Sequence, residues 1–117
     1  MKKILITGAS RGIGHALALE FAAQGHQVLA VSRNSVALNS LAVHPNIDVL
    51  GFDLADLPTC SLSEIVATKL GGLDVLINNA GFLLHKPFVE FSLADINQIM
   101  YTNTIAPGLL IGQVMRL

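Results

Sequence analysis

One cysteine, Cys60, is all that this 117-residue chain contains. That excludes an intrachain disulfide and fits a reducing, cytoplasmic setting. Charge is also scarce: Asp, Glu, Lys and Arg make up 13% of the residues, against about 25% in an ordinary soluble domain. The net charge is −1 and no basic cluster occurs, so a nucleic-acid surface is not expected. No apolar run reaches the ~18 residues of a membrane span before Asn, Gly, Pro or a charge interrupts it. The opening "MKKILITGAS" carries two lysines but only three apolar residues in a row, too few for a secretory leader, whose apolar region needs ~7 or more. The histidines, His15, His26, His44 and His85, lie far apart and show no metal-ligand spacing.

What the chain has in abundance is apolar residues, 52% of the total. Parallel strands covered on both faces produce such a balance, because they read as unbroken apolar runs. Those runs recur with a strand–turn–helix rhythm. Ile4-Leu5-Ile6 is a short strand ended by Gly8, and a helical period follows from Ile13, with Ile13, Leu17 and Phe21 on one face and Gly25 as its stop. "QVLAVS" (27–32) is a second strand, after which Asn34 or Ser35 caps a weak helix to about Ala42. "NIDVLGFD" (46–53) is a third strand, and Ser61-Leu62-Ser63-Glu64 has capping-box spacing for a helix to about Leu70. "LDVLIN" (73–78) is the fourth strand. Ser92 to Asp95 opens another helix, to about Tyr101, and a last helix runs from Asn103 to Leu117 with Pro107 in its first turn.

Strands alternating with helices predict an α/β fold: a doubly wound, Rossmann-type parallel sheet in three αβα layers. Ligands bind such sheets beyond the carboxyl ends of the strands. The unusual residues fall there: Gly8 after the first strand, Arg33 after the second, Asp53 after the third, and Asn79-Ala80-Gly81 after the fourth.

The glycines of "LITGASRGIG" (5–14) carry the chemistry. Gly8 lets the chain turn sharply out of the strand, Gly12 leaves room for a pyrophosphate against the main chain, and Gly14 lets the helix lie close on the sheet. Ser10 adds a hydroxyl donor. Taken alone, the three glycines also fit a plain strand-to-helix turn. About 20 residues on, where an NAD-preferring site places an acid for the ribose 2′-hydroxyl, stand Ser32 and Arg33. Arg33, with Arg11 on the same side, can pair with a 2′-phosphate, so NADP(H) is expected over NAD(H). Asp53 is placed to hydrogen-bond the adenine; its alternative is an ordinary strand-end turn.

"TGASRGIG" (7–14), "DL" (53–54), "NNAG" (78–81) and the Asn103 of "YTNTIAPG" resemble, in order and spacing, the short-chain dehydrogenase/reductase family over residues 3–117. The resemblance implies strand order 3-2-1-4 and a nicotinamide cofactor. It assigns Gly8, Ser10, Arg11, Gly12, Ile13 and Gly14 to the pyrophosphate turn, and Asp53 and Leu54 to adenine contacts. It also assigns Asn79, Ala80 and Gly81 to the segment that passes the cofactor ribose. Asn103 matches the asparagine of the family's catalytic tetrad, which holds a water in a proton relay, and Arg33 resembles its NADP-selecting basic residue.

The family's chemistry also needs a Ser and a Tyr-x-x-x-Lys pair, and here the sequence departs. Tyr101 is the only tyrosine, Ile105 stands four residues on, and no serine follows Ser92. Tyr101 is therefore expected as a core or helix-surface residue. The resemblance implies the amino-terminal, cofactor-binding half of a reductase acting on a carbonyl or alcohol substrate, truncated before its catalytic residues. Strand four then becomes a sheet edge, and Leu109, Leu110, Ile111 and Val114 lose cover, which predicts a homo-oligomer. Two other readings fit the residues: a module that holds NADP(H) without chemistry, and an interaction protein that docks through its open edge.

Overall fold

A computed structural model describes all residues, Met1–Leu117. Four parallel strands form one sheet: β1 (Lys3–Thr7), β2 (Gln27–Ser32), β3 (Ile47–Gly51) and β4 (Val75–Ile77). Their order is β3-β2-β1-β4, as the family resemblance implies. β1 and β2 are central and paired on both sides, with Leu5 opposite both Leu29 and Leu76. β4 is short and pairs only with β1, so its far side is a sheet edge.

Strand alternation divides the apolar residues between two layers. Ile4, Ile6, Val28, Ala30 and Ile47 pack with Ala18 and Ala22 of α1 (Gly12–Ala23) and Leu38 of α2 (Val36–Ser40). On the opposite face, Leu5, Leu29 and Val31 pack with Val66 and Leu70 of α3 (Ser63–Leu70) and with Ala106, Leu110 and Val114 of α5 (Ala106–Val114). Helices thus cover both faces in the expected three layers. No helix is long and apolar enough to cross a membrane, and no group of three His, Cys, Asp or Glu side chains stands close enough to hold a metal ion.

Four details differ from the sequence reading. The buried face of α1 is Gly14, Ala18 and Ala22, while Ile13 is 73% exposed; small residues let this helix approach the sheet, and the bulkier Leu17 and Phe21 pack at its flank. The Ser61–Glu64 capping box does not form. The helix starts at Ser63, and the Ser61 hydroxyl accepts from Ser63 N instead. Leu62 is fully buried with its N–H donated to Gln113 Oε1 at 3.0 Å, so tertiary packing fixes the start of the helix. The last two helices are one continuous rod: α4 (Leu93–Met100) passes through a π turn (Tyr101–Ile105) into α5, with Pro107 in its first turn. Consequently Leu110 and Val114 are core residues, at 1% and 3% exposure, and only Leu109 and Ile111 stay partly uncovered.

Candidate active site

The carboxyl ends of all four strands open onto one cleft of about 950 Å³, within the usual size range of small-molecule and cofactor sites. Ten of the sequence-selected residues line it: Gly8, Ser10, Arg11, Gly12, Arg33, Asp53, Leu54, Asn79, Ala80 and Gly81. Ile13, Gly14 and Asn103 do not. Ile13 points to solvent, Gly14 is packed behind the turn, and Asn103 grips the segment after β4.

The turn after β1 is built by close backbone packing. Gly8 has φ +63°, and a Cβ there would stand 2.8 Å from Ala80 Cα; a Cβ on Gly14 would run into Asn79 Nδ2 and the Gly8 carbonyl. Gly12 differs. It also has a left-handed φ of +59°, yet nothing lies within 4 Å of where its Cβ would be. Its bare side lines the cleft. The first turn of α1 has no side-chain cap, so its N–H groups and the positive end of the helix dipole are available to an anion.

A hydrogen-bond network fastens this turn to its neighbours. Thr7, buried to 1% exposure, accepts at Oγ1 from the backbone N–H groups of Asn79 (3.1 Å) and Ala80 (3.0 Å). Asn79 Nδ2 donates back to the Gly8 carbonyl at 3.0 Å. Asn103 Oδ1 accepts from Phe82 N (2.7 Å) while its Nδ2 donates to Phe82 O (2.9 Å), so both ends of the amide clamp one residue. The ends of β1 and β4 and the π turn are thereby fixed relative to one another.

The opposite wall, at the ends of β2 and β3, carries Arg33, which is exposed, as is Arg11 of the glycine turn; neither takes part in the two ion pairs of the molecule, Lys69–Asp48 and Lys86–Asp95. Ser32 Oγ donates to the Arg33 carbonyl at 2.9 Å, and Ser35 Oγ caps α2 by accepting from Leu38 N. Asp53 uses one carboxylate oxygen to accept from Ala55 N at 2.9 Å, forming the cap of a single 3-10 turn, Leu54–Asp56.

Sequence reasoning missed Thr7 and Tyr101. Thr7 left a trace, as the one polar residue at the end of an apolar strand. Tyr101 left none. It is a helix residue packed against the core, as expected; in addition it lines the cleft and donates its hydroxyl to the Leu54 carbonyl at 2.6 Å. Burial first, and then the carboxylates of Asp53 and Asp56, raise its pKa above the ordinary phenol value.

The whole chain has known relatives. The family model described as short chain dehydrogenase matches residues 2–117. An uncharacterized short-chain type dehydrogenase/reductase of Sinorhizobium fredii is 42% identical over 102 residues, covering 85% of this chain and 39% of that protein. The glucose 1-dehydrogenase of Gluconobacter oxydans is 35% identical, covering 98% of this chain and 46% of the other. Among solved structures, the NADPH-bound carbonyl reductase from chicken fatty liver superposes with a TM-score of 0.83 at 28% identity, over 98% of this chain and 50% of that one. The chain therefore spans about two-fifths to one-half of the length of these relatives. On the match to its family model over residues 2–117 and on the fold that it shares with solved members, the chain belongs to the short-chain dehydrogenase family.

Proposed function

We propose that this chain is the NADP(H)-binding part of a reductase or dehydrogenase domain that acts on a small carbonyl or alcohol substrate. The observation that carries the reading is convergence: four sequence clusters, far apart along the chain, line one cleft beneath an uncapped helix start. When bound, the nicotinamide cofactor supplies or accepts a hydride. The chain's own residues bind and orient it. Gly12, Ser10 and the first N–H groups of α1 take the pyrophosphate, with Ile13 and Gly14 contributing main chain to the same turn. Arg33, seconded by Arg11, pairs with the 2′-phosphate. The free oxygen of Asp53 and the backbone at Leu54 face the adenine, and Asn79, Ala80 and Gly81 form the wall along the ribose.

Asn103 works through position. Its side chain holds Phe82, and Pro107, which has no N–H, cannot donate to the Asn103 carbonyl in the α-helical register. That carbonyl is thereby suited to accept from a water in a proton relay. The unpaired side of β4 and the partly exposed Ile105 and Ile111 support a homo-oligomer, and the free, exposed Cys60 suits a reducing cytoplasm. A second reading, a module that binds NADP(H) without turning it over, is separated from the first by whether the intact protein carries a Ser and a Tyr-x-x-x-Lys.

The test of cofactor binding is calorimetric titration of the 117-residue chain with NADPH and with NADH. Saturable binding, tighter for NADPH, is expected. A sample folded by circular dichroism that takes up neither dinucleotide overturns the proposal.

A further inference from the structure

The five-residue π turn carries two side chains that grip two different strand-end loops. Asn103 holds Phe82, after β4. Tyr101, two residues earlier, holds Leu54, after β3, across 47 positions of sequence. The Leu54 carbonyl accepts from both Tyr101 Oη (2.6 Å) and Leu57 N (3.2 Å). It is therefore a junction between the helix rod and the 3-10 turn that Asp53 caps. Both partners of the Tyr101 bond line the cleft, next to Phe52, Asp53 and Ala55.

We infer that Tyr101 is a positioning residue of the nucleotide site: its hydroxyl holds the adenine-side turn, residues 53–56, at a fixed place relative to the Asn103–Phe82 clamp. The inference rests on the nucleotide reading above and adds to it a residue with no role there. A phenol suits the task because one long, stiff arm reaches a backbone oxygen that no neighbouring side chain satisfies. Burial first, and then the nearby Asp53 and Asp56, favour the protonated phenol, so the donor persists throughout the physiological pH range.

Tyr101→Phe keeps the ring and deletes only the donor. Calorimetric titration with 2′,5′-ADP, which carries the adenine and the 2′-phosphate without the nicotinamide, is expected to show about fivefold weaker binding, the value of one typical hydrogen bond. Amide hydrogen exchange is expected to speed up at residues 55–57 and to stay unchanged in β1 and β2. Undiminished 2′,5′-ADP affinity in the variant overturns the inference, and so does a general rise in exchange across the sheet, which marks a merely structural role. Wild-type protein that binds neither NADPH nor 2′,5′-ADP overturns the nucleotide reading itself, a distinct result.

The chain has a single tyrosine and no tryptophan, so a spectrophotometric alkaline titration of the wild type reads Tyr101 alone. That measurement stands even if the variant fails to fold. By linkage, saturating 2′,5′-ADP is expected to raise that ionisation further, because binding favours the protonated donor, and an ionisation unmoved by bound ligand overturns the inference.

Discussion

The two walls of the cleft are built on opposite principles. Where β1 meets β4, glycine backbone lies against backbone, and Thr7, Asn79 and Asn103 satisfy main-chain groups on neighbouring segments. Where β2 meets β3, exposed Arg33 stands without an ionic partner. The first wall is shape, which no side-chain exchange improves. The second is charge, which a single substitution reverses without disturbing the core. On the nucleotide reading proposed above, a site arranged in this way would keep its grip on the diphosphate while its choice between NADP(H) and NAD(H) remained adjustable.

Substitutions on the two walls should therefore fail differently. Gly8→Ala is expected to be the most damaging. It combines a left-handed backbone, at about 1–2 kcal/mol, with overpacking against Ala80, at about 1–3 kcal/mol. Urea unfolding should show a loss of about 2–5 kcal/mol, and a midpoint within error of wild type would refute the packed-wall description. Arg33→Asp, across the cleft, should leave the unfolding midpoint unchanged and weaken NADPH binding roughly ten- to a hundredfold. A charge-assisted hydrogen bond is worth about 1.5–3 kcal/mol, and like-charge repulsion acts in the same direction. Equal weakening of NADPH and NADH would show that Arg33 does not read the phosphate.

The smallest expected effect lies at the start of the rod. Hydrogen bonding by Lys86, then by the Ser92 backbone, lowers the Asp95 pKa below its ordinary value. A carboxyl lowered in the folded state contributes stability above its unfolded pKa, and that contribution is lost as pH falls through the folded value. Nuclear magnetic resonance titration should find Asp95 ionising below other aspartates, and Lys86→Ala should move it back up. No movement would remove Lys86 as the principal cause.

Much of this architecture was legible because it is local. Alternation of apolar runs with turn residues predicts four strands on one sheet and puts the glycines, Arg33, Asp53 and Asn79 on one rim. What escaped was decided across the fold. Ser61 and Ser92 share the same local spacing, yet only Ser92 forms a capping box; Gln113, 51 residues from Leu62, fixes the other helix start. The Thr7 and Tyr101 bonds span 72 and 47 positions, beyond the reach of any local pattern. The buried face of α1 lies one position beyond the Ile13–Leu17–Phe21 stripe, because close approach to the sheet selects the small residues Gly14, Ala18 and Ala22.

The π turn at Tyr101–Ile105 has a mechanical corollary. A π turn amounts to one surplus residue in an α-helix, and each helical residue rotates the rod by roughly 100°. Shortening this turn by a single residue would swing α4 around the rod axis relative to α5. Leu110 and Val114 could then keep their seats on the sheet only if the amide at 103 and the phenol at 101 turned away from their carbonyls. One added link lets a single rod serve two masters, a greasy anchor below and a polar clasp above.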